Sequence, residues 1–131
     1  MTKIESEKVT VAKSAKEVYE FLGNFNNFEK LMPEQVVNWQ STPDECTFTI
    51  QGMATLGMKI VERKPNSLIR INKNGSAPFD FTLSCMIDEN SAPCTIQLVF
   101  DVDLNPMMKM MALKPLTNFL NILANKLKEV V

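Results

Sequence analysis

The chain has 131 residues and no histidine. That absence removes the commonest general base, the commonest metal ligand and the side chain that titrates near neutral pH. Cysteine is scarce too. Cys46, Cys85 and Cys94 are an odd set without C-x-x-C spacing, which argues against a disulfide framework and for a reducing, cytoplasmic setting. Cys85 and Cys94 flank a predicted hairpin that brings them near one another, and buried free thiols are expected at both. No charge sign dominates: 14 basic and 15 acidic residues leave a net charge of -1, spread along the chain. Such balance gives no electrostatic reason to expect nucleic acid or an anionic membrane as partner. No apolar run approaches the length of a membrane span, and "MTKIESEKVT" is too charged for a signal-peptide core, so no stable membrane insertion is expected. With four glycines there is no phosphate-cradling loop; "GMATLG" lacks the following helix and the lysine of one.

What is present is an ordinary globular composition, 45% hydrophobic and 22% charged, in a length that predicts one domain over 1–131. Val9 and Val11 alternate with polar neighbours, predicting a strand over Lys3 to Ala12. Ser14 with Glu17 fits a capping box before Val18, Phe21 and Leu22 at helical spacing, and Gly23 is the expected stop. A second short helix places Phe25, Phe28 and Leu31 on one side and ends at Pro33. From Gln35 to Leu104 the period becomes two. Six strands follow, divided by "STPDE", "KPNS", "NKNGSAP" and "ENSAP", with Val37 and Trp39 expected on one face of the first. The expected architecture is α+β: a seven-stranded curved antiparallel sheet gripping a long C-terminal helix, with two short helices between strands 1 and 2.

The last helix has two characters. Leu116, Phe119, Leu120, Leu123, Leu127 and Val130 fall within about 100° of arc at 3.6 residues per turn, opposite Asn118, Asn121 and Asn125. Ahead of them stand Met107, Met108, Met110 and Met111. A straight helix puts Met107, Met108 and Met111 roughly opposite the leucine stripe. Pro115 predicts either a kink or a break near Lys114, after which the methionine segment is aimed separately. Methionine is unbranched and adapts to irregular space, so the cluster reads as a mouth or lid over a cavity; core filling and a contact with a second subunit are the alternatives.

The order of elements, with "VTVAKSAKEVYEFLGNFNNFEKLMPEQV" near the start and the long helix at the end, resembles the START-like superfamily. That group holds the Bet v 1-like, lipid-transfer and polyketide cyclase families. The resemblance spans essentially the whole chain and implies a helix-grip fold, with a small hydrophobic ligand such as a lipid, isoprenoid or polyketide between sheet and helix. On that reading the ligand-binding residues are Phe48, Ile50, Met58, Ile60, Ile69, Ile71, Phe81, Leu83, Cys85, Leu98 and Phe100 from the sheet. The helix adds Met107, Met108, Met111, Leu116 and Leu120.

Chemistry is harder to find. Alternation sends Asp80, Asp88, Asp101, Asp103 and Arg70 to the solvent face, and the two acids of "DVD" lack convergent metal ligands. Cys46 and Cys85 have no base to activate them. Tyr19 and Trp39 are the remaining polar handles; Tyr19 is expected to anchor helix to sheet and Trp39 to cap a pocket rim. No catalytic set, metal or cofactor is expected. The leading expectation is a carrier or sensor of a small apolar molecule, monomeric or weakly dimeric. A cyclase or dehydratase relying on one acid, and a scaffold acting through its surface, are the alternatives.

Overall fold

The structure, a computed structural model, describes residues 2–52, 54–75, 77, 79–88 and 94–130. Among them the chain runs β1 (Thr2–Glu5), β2 (Val9–Val11), α1 (Ala15–Leu22), α2 (Phe25–Phe28) and a 3-10 turn (Glu29–Leu31). It continues through β3 (Val36–Ser41), β4 (Glu45–Ile50), β5 (Ala54–Lys64), β6 (Leu68–Lys73), β7 (Phe81–Asp88) and β8 (Cys94–Val102) to α3 (Pro106–Val130). The strands form one antiparallel sheet in the order β1-β8-β7-β6-β5-β4-β3, with β2 also paired to β8. The α+β architecture and long terminal helix are as expected. The expected turn at 89–93 lies outside the described residues.

The first strand is not continuous, and its own sequence explains why. Ile4 must face the core with Phe100, and Val9 with Ile96, yet an even and an odd position cannot share a face of an unbroken strand. An extra residue is inserted: four steps from Glu5 to Val9 oppose three from Val99 to Ile96. Ser6 sits buried in this bulge. Its N–H donates to the Leu98 carbonyl at 2.8 Å, and its hydroxyl accepts from the Leu98 N–H at 2.9 Å.

The same device recurs twice. In β3, Val37 pairs with Thr49 on the outer face, and the register then shifts before Gln40 pairs with Thr47. Asn38, with φ of 57°, absorbs the shift, since asparagine tolerates the left-handed region. Trp39 is thereby turned inward onto Phe48, ring centroids 5.2 Å apart, instead of sharing a face with Val37 as plain alternation predicted. In β5 the shift falls between Ile60 and Glu62, so that Arg63 lies opposite the inward Ile69. The Arg63 guanidinium then bonds Asp44 and the Gly23 carbonyl, tying the end of α1 to the β3–β4 turn. Bulges bend strands and add twist. Three of them in one sheet account for its curl around a helix.

α1 begins as its sequence predicts, with the Ser14 hydroxyl accepting from the Glu17 N–H. α3 seats Leu116, Leu120, Leu123, Ala124 and Leu127 on the sheet and packs most closely against β1, β2, β8 and the 3-10 turn. Val130 is exposed, correcting its place in the stripe. Asn121, expected to face solvent, accepts from the Glu7 N–H at 2.8 Å and pins α3 to the β1–β2 junction.

Candidate functional site

α3 is a single helix with Pro115 inside it, not two segments. The missing N–H leaves the Met111 carbonyl without its intrahelical donor, a tolerable loss at an exposed turn. Met107 and Met111 are 73% and 74% exposed, as the straight winding implied. Only Met108 of the cluster packs against the core.

Below the leucine stripe the described side chains are buried against one another. Phe48, Met58, Ile60, Ile69, Ile71, Phe81, Leu83, Cys85, Leu98 and Phe100 are all buried, and they join Leu116 and Leu120 in one contiguous cluster. Phe81 and Phe100 stack at 5.1 Å. These side chains were expected to wall an open cavity; the structure brings them together as packed core.

The opening lies to one side, where α3 leaves the sheet. A groove of about 480 Å³ runs between the end of β4 and one flank of the helix. Gln35, Ile50, Gln51 and Gly52 form one wall; Met111, Pro115, Leu116, Asn118, Phe119 and Ile122 form the other. Of the expected ligand residues, this groove gathers Ile50, Met111 and Leu116. Met107 is not part of its lining.

Local structure fixes both walls. The Gln51 N–H donates to the Gln35 carbonyl at 2.8 Å, closing β4 against the segment before β3, and Gly52 turns the chain at φ of 79°, a conformation glycine adopts without strain. On the helix, positions 111, 115, 118, 119 and 122 recur at three- and four-residue steps along one flank. Phe119 was legible from the leucine stripe. Gln35, Gln51 and Asn118 carried no signal, because amides look alike whether they face a ligand or water.

Among the described residues, aliphatic carbon, one phenyl ring and neutral amides make up the groove, with no ionisable side chain. Its polar side chains are the three amides of Gln35, Gln51 and Asn118. Two residues from Ile50 along β4, Phe48 carries the stacked Trp39 ring. The buried Trp39 Nε1–H has no acceptor among the described residues. Tyr19 is half-buried at the core's edge, as an anchor of α1 should be.

The three thiols are free and buried. Burial pushes Cys46 and Cys85 up to about 12, with a backbone hydrogen bond at Met58 opposing this for Cys46. Burial also raises Cys94, and the Asp88 carboxylate adds to it. The expected proximity of Cys85 and Cys94 is corrected by the register. Cys85 pairs with Leu98, four residues along β8 from Cys94, about 13 Å at the rise of a strand. A disulfide needs Cα atoms within about 7 Å. Among the described residues no group of three or more acidic, cysteine or histidine side chains is placed to hold a metal.

Comparison with known proteins decides the fold. A START superfamily protein from Mycobacterium smegmatis superposes with a TM-score of 0.70 over 98% of this chain and 99% of that one, at 16% identity. The fold is START-like. The XoxI protein of Bacillus cereus gives a TM-score of 0.77 over 98% and 94% of the two chains at 11% identity. A Thermobifida fusca protein gives 0.69 over 99% and 95% at 17%. At such identities the START-like match establishes architecture alone. No family model matches the sequence, and no curated protein does. No helix among the described residues is long and apolar enough to cross a membrane.

Proposed function

We propose that this chain, acting as one domain over 1–131, is a non-catalytic carrier or sensor of a small apolar molecule. The ligand lies in the groove between the end of β4 and α3. One observation carries the reading: a groove of about 480 Å³ with apolar side chains on both walls, amides at intervals and no ionisable group among its described lining residues. That volume falls within the usual range for small-molecule sites, about 300–1,000 Å³. Each methylene withdrawn from water contributes about 0.8 kcal/mol, so a chain of several carbons gains several kcal/mol before ordering costs. The lining supports an uncharged ligand, an isoprenoid or polyketide-like molecule with a hydroxyl or carbonyl to meet the amides. A free carboxylate finds no cation among the described lining residues.

A cyclase or dehydratase needs an acid or base at the substrate. The described lining offers amides and hydrocarbon, which favours binding over turnover.

The test is displacement of a hydrophobic fluorophore by uncharged lipids, with Met111→Asp as the perturbation. A carboxylate at the apolar wall should weaken binding by about tenfold or more, with far-UV circular dichroism intact because residue 111 is exposed. Unchanged affinity in that variant removes the groove from the account.

A further inference from the structure

α3 overhangs the core at its N-terminal end. Between Pro106 and Pro115 no residue is buried; Met108 and Ala112 are half-buried, and Met110 is 87% exposed beside the exposed Met107 and Met111. Ten helical residues span about 15 Å, and concentrated apolar exposure of this kind marks an interaction surface. The near-zero net charge hides a local asymmetry. Four of the chain's 14 basic residues, and none of its 15 acidic ones, fall between Leu104 and Lys128. Two of these, Lys109 and Lys114, stand exposed on the overhang.

We propose that this overhang docks on an anionic lipid surface. Met107, Met110 and Met111 enter the boundary between headgroups and acyl chains, while Lys109 and Lys114 engage lipid phosphates. A helix combining lysines with exposed apolar side chains lies in that interface, and basic residues next to anionic lipid each add to the attraction. Charge selects the bilayer over a second copy of the chain. A two-fold interface sets a surface against itself, which here brings lysine to lysine with no acid in the stretch to pair them. Methionine's adaptable side chain also suits a fluid partner without fixed shape.

Docking would present the groove. Asn118 borders both the groove and the shallow depression formed by Lys109, Met110, Leu113, Lys114 and Thr117 on the exposed side. A seated α3 therefore holds the groove at the bilayer surface, where an apolar ligand exchanges without crossing water. That consequence rests on the proposed carrier function; the docking itself does not.

The experiment is co-sedimentation of the ligand-free full chain with vesicles of phosphatidylcholine containing phosphatidylglycerol, against phosphatidylcholine alone, across a salt series. The protein should pellet with the anionic vesicles and be released by high salt. Lys109→Gln and Lys114→Gln should each lower partitioning about fivefold, and Met110→Gln should lower it while leaving the salt slope unchanged. Circular dichroism and Trp39 fluorescence establish that each variant is folded. Equal binding to both vesicle types, no binding to either, or lysine variants indistinguishable from the parent would overturn the proposal. So would a dimer in vesicle-free buffer that Met110→Gln dissolves, since the face would then belong to a second copy. Fluorophore binding without vesicles reads the carrier function separately: its loss with sedimentation intact removes that function and leaves the docking surface standing.

Discussion

Gly57 gives the sharpest numerical test of the sheet that supports the groove. It lies in β5 opposite Thr47, and its carbonyl accepts from the Asn74 N–H at 2.9 Å as the chain leaves β6. A Cβ added at Gly57 would stand 2.0 Å from the Asn74 carbonyl oxygen and 3.2 Å from its carbon. Both are backbone atoms, so no rotamer change relieves the clash. Moving the Asn74 segment costs about 1–3 kcal/mol as overpacking. Losing the Gly57–Asn74 hydrogen bond adds about 0.5–1.5 kcal/mol. Against this, alanine in place of glycine recovers about 0.4–1 kcal/mol by restricting the unfolded chain. Gly57→Ala should therefore destabilise by about 0.5–4 kcal/mol, centred near 2. Urea unfolding followed by Trp39 fluorescence is the assay, because the sole tryptophan is stacked on Phe48 in the adjoining strand. A loss under about 0.5 kcal/mol would refute the close approach of Gly57 to the Asn74 backbone.

Two further predictions concern buried polar groups. Ser6→Ala should cost about 1–3 kcal/mol, because the Leu98 N–H loses the buried hydroxyl it donates to; urea midpoints compared at equal slope measure this. Cys46 and Cys85 keep their protons in the folded state to about pH 12, whereas the unfolded thiols lose theirs near 9.0. The folded state then holds more protons in that window, so stability falls as pH rises from about 9 towards 12, by up to about 1.4 kcal/mol per pH unit for each thiol. A Cys85→Val variant should show a shallower decline in the urea midpoint between pH 8.5 and 10.5, and an identical decline would contradict the assignment.

How much of this was legible in the sequence follows from the physics of each element. Strict alternation, as in Ile96, Leu98 and Phe100, placed β8 because one face is buried along its length. It failed at Ile4 to Val9, at Val36 to Trp39 and at Ile60 to Arg63. In each pair two inward residues stand an odd number apart, which a strand accommodates only by a bulge. Those odd intervals were visible in the sequence, but only the partner strand's register identifies which residue is extra. The leucine stripe of α3 was equally plain, since Leu116, Leu120, Leu123 and Leu127 repeat at helical spacing.

The groove was harder to read. Its position depends on where α3 parts from the sheet, a tertiary fact that local periodicity does not carry. Phe48, Leu98 and Phe100 have the same alternation whether they line a cavity or fill it. Side-chain volume across the grip decides between these outcomes, and here the large residues are buried together in the centre while the groove lies at the flank beside Ile50 and Leu116. The methionines were singled out correctly as unusual, but Met107 and Met110 are exposed to solvent, an outcome the winding already contained once Pro115 was accepted within the helix.

The most direct measurement is a methyl-labelled NMR titration of the full chain with an uncharged isoprenoid or polyketide-like lipid. The account predicts concerted shifts at Ile50, Met111, Leu116 and Ile122, with Ile69 and Leu98 in the packed centre little changed. Shifts confined to the convex face of the sheet, or none at a lipid concentration that displaces the fluorophore, would contradict it.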